Sequence, residues 1–179
     1  LRSRRTSSYT PVERGRRHPG LFVGRPEAPE TEASFHHLTG GPEAYAAWRR
    51  FYDGMDAMAA HLAPTLTEPL CRGSTLAQSV DPDLWRGVVE QPLGRMLEEG
   101  FDDDTVRGVV GTDALIGTFA DLDDSSLAQN RCFLYHLVGN GTGEWRVPVG
   151  GMGAVTDALA KAAHDAGAQV VLDAGVSRI

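Results

Sequence analysis

From Pro42 onward, apolar side chains recur at steps of three and four: Tyr45, Trp48, Phe51 or Tyr52, Met55, Met58 or Ala59, and Leu62. Those steps return to one face of an α-helix. Pro42 suits the first turn, where a missing N–H costs nothing, and Glu43 suits the positive helix end. Pro64 stops or kinks the helix near Ala63, because its ring clashes with the preceding turn. Gly54 weakens the middle by about 1 kcal/mol relative to alanine. The stripe of aromatics and methionines reads as core, with a ligand-lining face as the alternative.

Further helical signals follow. Ser74 caps a short helix through Val80, and Asp81-Pro82 opens one through Trp85, Val88 and Val89. Pro92 interrupts, then Leu93, Met96 and Leu97 carry a helical face to Gly100, a good terminator. Asp102, Asp103 and Asp104 start a helix bearing Val106, Val109 and Val110. Asp121, Asp123 and Asp124 precede another, from Ser125 to about Val138, with Gly139 as its stop. Both acidic clusters read as caps rather than cation sites. Consecutive positions at a helix start point different ways, and all favour the positive dipole end.

The last third changes character. Trp145, Val147 and Val149 alternate with Arg146 and Pro148, a short strand over Glu144–Val149. Gly150-Gly151-Met152-Gly153 follows, then Val155, Leu159, Ala162 and Ala163 mark a helix ending at Gly167. Ala168–Leu172 is a β-branched run, and Gly175–Ile179 reads as a second strand. The fold class expected is mostly α, or α+β: a helical region followed by a strand, glycine loop, helix, strand module. That second strand would present an open edge and promote aggregation.

Charge divides the chain. Residues 1–25 hold seven arginines against Glu13 alone, whereas 26–179 hold ten basic and 23 acidic residues. The head, with prolines at 11, 19, 26 and 29, is expected to carry little regular structure through residue 34. It reads as a basic, disordered leader over 1–24, followed by a helical region 25–143 and a final module 144–179. A basic head can contact phosphates, but it has few aromatics and the acidic body repels polyanions, so no nucleic-acid partner is expected. No apolar run is long enough for a transmembrane segment. No secretory signal is visible, and Cys71 and Cys132 make neither a disulfide framework nor a zinc cluster. A cytoplasmic protein with reduced thiols is expected.

The Gly150–Gly153 loop is the best candidate for chemistry. Glycines at a strand-to-helix junction let backbone amides approach a ligand, and the helix start favours a phosphate or an electron-rich ring edge. Gly139-Asn140-Gly141-Thr142-Gly143 lacks the third glycine of a dinucleotide fingerprint and precedes a strand, so it reads as a turn. There is no P-loop, no G-x-S-x-G elbow and no H-E-x-x-H. His36 and His37 are adjacent and face apart. Cys132 and His136 stand one helical turn apart and can face each other, but a nucleophilic pair is not expected and they read as structural.

The segment Pro148-x-Gly150-Gly151-Met152-Gly153, with Ala158-Leu159-Ala160, then Gly167-Ala168 and Val176-Ser177-Arg178-Ile179, resembles the phytoene dehydrogenase-like family. The upstream stretches PEAYAAWRRFYDGM, PTLTEPL, GTDALIGTFA and NRCFLYHLVGNGTG resemble the helical part of bacterial members, so the likeness spans residues 22–179. The family consists of FAD-dependent oxidoreductases related to carotenoid desaturases and flavin amine oxidases. The resemblance implies that Gly150, Gly151, Met152 and Gly153 lie close to the flavin and that the Val176 backbone contacts the adenine of FAD. It implies a hydrophobic small-molecule substrate bound by the helical region, and leaves room for peripheral membrane contact. The family's G-x-G-x-x-G unit and its C-terminal flavin segment are not in this sequence. The chain is therefore expected to be an internal fragment, inactive alone, and no catalytic acid or base carries over. The alternative is a non-catalytic helical binding module for an apolar ligand or partner.

Overall fold

A computed structural model describes residues 1–4, 6–13, 20–24, 28–139 and 146–179. Helix dominates it, with a few short antiparallel strands, as the fold class expected. The chain divides into two compact units: Leu1–Arg4 with Trp145–Ile179, and Arg5–Glu144.

The larger unit opens with a hairpin. Strand β2 (Thr6–Pro11) pairs antiparallel with β3 (Gly20–Gly24), Tyr9 opposite Phe22 and Thr10 opposite Leu21, with an irregularity between Thr6 and Ser8. Helix α1 (Pro29–Thr39) covers the outer edge of β3. Ser34 Oγ accepts from Phe22 N at 3.1 Å and sits 2.9 Å from Phe22 O, and Gly24 N donates to Thr31 Oγ1 at 2.9 Å. The described part of residues 1–34 therefore carries regular structure, contrary to the expectation of little. Leu21 is fully buried, so the head contributes a core residue that its arginine-rich composition concealed.

Helix α2 (Glu43–Leu62) follows the stripe and passes at Pro64 into a 3-10 turn (Ala63–Leu66). Trp48, Phe51, Met55 and Met58 are buried, so the stripe is core. Phe35 of α1 packs on Tyr45 and Trp48, with ring centroids 5.6 and 5.1 Å apart, and Phe51 meets Phe101 at 5.3 Å. Tilted pairs at these distances suit the ring quadrupoles. Gly54 has a packing reason: a Cβ there would stand 3.0 Å from Leu84 Cδ1.

Short helices α3 (Gly73–Ala77) and α4 (Pro82–Trp85) come next. Asp81 caps α4 through one carboxylate oxygen that accepts from Asp83 N and Leu84 N, both at 3.0 Å. The chain then widens into a π turn (Arg86–Glu90), closed by Gln91 N donating to Arg86 O at 2.9 Å. Helix α5 (Leu93–Gly100) packs beside it and against α6 (Asp104–Leu115), and Asp103 caps α6 by accepting from Thr105 N and Val106 N. Helix α7 (Ala128–Val138) starts three residues later than the pattern predicts. Asp121 and Asp124 close turns on Asp123 N and Ser126 N, and Leu127 holds the left-handed region at φ 57°.

In the smaller unit, β4 (Arg146–Val147) pairs antiparallel with β1 (Arg2–Ser3). Helix α8 (Met152–Asp165) ends in a Schellman motif. Gly167 sits at φ 86°, its N–H donates to His164 O, and Ala168 N donates to Ala163 O. No α8 residue is buried. The second strand is absent: residues 168–179 are irregular and exposed. A β-branched run becomes a strand only when a neighbour takes its N–H and C=O groups, and among the described residues none does.

Candidate functional site

The chain reaches the glycine loop through a type II turn. Gly151 N donates to Pro148 O at 3.2 Å, and Gly150 takes the left-handed third position at φ 90°. Gly151 then stands at φ 80°, ψ −171° as the N-cap of α8, a region that only glycine enters cheaply. An L-residue at either position is strained, so both glycines answer to backbone geometry. Ala154 N donates to Gly151 O at 3.2 Å, while the Met152 and Gly153 amides open the helix with no side-chain cap. A Cβ on Gly151 or Gly153 would meet nothing within 4 Å, so no neighbouring atom crowds these two glycines on that side.

The turn thus brings Gly150, Gly151, Met152 and Gly153 together at one helix start. Met152 is 71% exposed. Val176 lies in the irregular segment after α8, 78% exposed. The strand whose backbone would meet an adenine is not formed there, because among the described residues no neighbouring strand stands beside it. In the G-N-G-T-G stretch, Gly139 ends α7, and residues 140–143 lie outside the described residues.

A second group of polar side chains gathers where α2, α6 and α7 meet. Cys132 Sγ donates to Ile116 O at 3.0 Å and lies 3.4 Å from Asp113 O and 3.6 Å from His136 Nδ1. His136 Nδ1 is 2.8 Å from Cys132 O. A carbonyl only accepts, so that hydrogen bond assigns the proton to Nδ1. A nitrogen already carrying a proton cannot take the thiol's, so Cys132 and His136 are not a nucleophile–base pair. The thiol instead ties α7 to the last carbonyls of α6.

Asp113 and Tyr52 belong to the same seam; the sequence reading gave Asp113 no role and counted Tyr52 only in the core stripe. Burial raises the Asp113 carboxyl above its ordinary range, with His136 pulling it back. Burial raises the Tyr52 phenol well above its usual 10.0, and Asp113 and Asp56 add to the rise. The available signal was a single acid, Asp113, inside the apolar stretch from Val109 to Ile116. No group of three or more His, Cys, Asp or Glu suited to a metal ion occurs among the described residues, and both cysteines are free. No described helix is long and apolar enough to cross a membrane.

Comparison with known proteins adds context. The uncharacterized protein Rv0897c of Mycobacterium tuberculosis is 41% identical over 183 residues, covering 98% of this chain and 34% of that protein. A Mycobacterium bovis protein, uncharacterized protein Mb0921c, matches to the same extent. Pyridine nucleotide-disulfide oxidoreductase domain-containing protein 2 of Mus musculus is 30% identical over 118 residues, covering 64% of this chain and 20% of that protein. The chain thus spans about a third of the length of the mycobacterial relatives it matches. No family model and no solved structure matches it. Its distant likeness is to proteins named for an oxidoreductase domain.

Proposed function

We propose that this chain forms part of a flavin-dependent oxidoreductase of the phytoene dehydrogenase-like type, acting on a hydrophobic small molecule. The observation that carries the reading is the paired positive-φ turn at Gly150 and Gly151, which leaves the first amides of α8 without a side-chain cap. The likeness to proteins named for an oxidoreductase domain supports the same class of chemistry.

FAD would supply the hydride acceptor. Gly150, Gly151, Met152 and Gly153 fit such a group, because a Cβ on Gly151 or Gly153 would meet nothing within 4 Å and amides at a helix start favour an electron-rich edge or a phosphate. Their task is binding and orientation. Gly151 sets the entry angle of the helix, and the Met152 and Gly153 N–H groups stabilise negative charge placed before them. Residues 25–143 would receive the substrate.

The test is a titration of the purified chain with FAD, followed by flavin fluorescence, beside Gly151→Val. Weak saturable quenching that Gly151→Val removes is the expected result. Quenching that is absent, or identical in the variant, overturns the role given to the loop. Stoichiometric FAD retained through purification would overturn the claim that much of the flavin grip lies outside these residues.

A further inference from the structure

The helical unit holds an open cavity of about 530 Å³ between α2 and the stretch from α4 to α5. Phe51, Leu84 and Met96 supply its apolar wall. Three guanidinium groups stand at its rim, and two are taken. Arg86 Nη1 donates to Asp83 at 2.8 Å and Arg95 Nε to Glu99 at 3.0 Å. Asp81, also at the rim, already accepts from two backbone amides. Arg50 alone among these groups has no hydrogen-bond or ion-pair partner among the described residues.

An unpaired guanidinium beside an apolar wall suits a ligand with a hydrocarbon body and one anionic end, since the planar fork matches a carboxylate. The orientation follows from the neighbouring cavity. Arg50 also borders a second space of about 530 Å³ lined by Glu43 and Asp102 among others. Those acids repel an anion, so the charged end stops at Arg50 and the hydrocarbon lies along Phe51, Leu84 and Met96.

We propose that this groove binds an amphipathic monocarboxylate, its carboxylate on Arg50. The proposal rests on the reading of residues 25–143 as the substrate-receiving region and on nothing in the glycine loop. FAD titration therefore tests the flavin reading separately.

The probe is octanoate, titrated calorimetrically into the purified chain, with 1-octanol as the uncharged comparator. Octanoate should bind saturably, Arg50→Ala should weaken it about tenfold, or roughly 1.4 kcal/mol, and 1-octanol should not respond to the substitution. Arg49→Ala is the control: Arg49 pairs with Asp53 at 2.9 Å, and its loss should leave octanoate binding unchanged. Arg50→Gln, which keeps length and polarity, serves if the alanine variant melts early. The proposal is overturned if octanoate fails to saturate, if both Arg50 variants bind it like the parent chain, or if Arg49→Ala weakens it equally.

Discussion

Asn130 of α7 holds Leu93 at the start of α5: its Oδ1 accepts the Leu93 N–H at 3.0 Å. Its Nδ2 donates to Val88 O at 2.8 Å and Gln91 O at 2.7 Å, so one buried amide closes the π turn and joins it to the next helix. Pro92 cannot continue the helical ladder, and Asn130 satisfies the groups that the break leaves bare.

Removing that amide should be costly. Asn130→Ala takes the partner from the buried Val88 carbonyl and Leu93 N–H and from the half-buried Gln91 carbonyl, and should lower stability by about 2–4 kcal/mol. Urea unfolding followed by circular dichroism measures this. A loss under about 0.5 kcal/mol would show that water replaces the amide without penalty.

The aromatic cluster should behave as core. Phe35 is fully buried against Tyr45 and Trp48. Phe35→Ala should cost about 3–5 kcal/mol. A smaller loss in the same unfolding assay would show that α1 and the hairpin are not part of the cooperative unit.

The seam at Asp113 should give stability a pH dependence. Its carboxyl is raised in the folded chain, so its contribution is fully present below the ordinary value of 3.8 and is lost as pH rises through the folded value. Asp113→Asn removes that loss. The variant should match or exceed the parent in stability at neutral pH, with the gap closing toward pH 4. A variant clearly weaker at neutral pH would show that the charge on Asp113, facing His136, is needed.

Tyr52 follows the same sign at the alkaline end. Its phenol is raised above 10.0, so its contribution is present below that value and is lost only as pH climbs through the folded value. Ultraviolet titration should find one tyrosine that ionises only on unfolding, and Tyr52→Phe should abolish that phase. Four tyrosines titrating together near their ordinary value would contradict the burial.

Gly151 should resist substitution for backbone reasons. At φ 80° and ψ −171°, alanine is strained by roughly 1–3 kcal/mol. Gly151→Ala should loosen the start of α8, read as faster hydrogen exchange over residues 152–156, while the helical unit melts unchanged. Unaltered exchange would mean the turn tolerates a side chain.

Local signals were legible where local physics decides. The α2 stripe repeats with the helical period, so Trp48, Phe51, Met55 and Met58 announced a buried face. Asp81 and Asp103 stood directly before helices and cap them. Distance hid the rest. Asn130 acts on groups about 40 residues away, and nothing in its own neighbourhood signals that. The hairpin was masked by arginine, serine and proline, although β2 alternates in exposure along its length. Of the candidate site, the glycine turn was visible because φ > 0 demands glycine, whereas Arg50 stands out only once its neighbours' partners are known.

Helix α8 contributes no buried side chain, so its alanines, the Lys161–Asp165 ion pair, its turn and its Schellman end hold it in shape. A helix of 14 residues kept by local forces alone opens often in water. A protease acting briefly on the folded chain should therefore cut first within α8 or the exposed residues after it, trimming the C-terminal end before it touches the aromatic core.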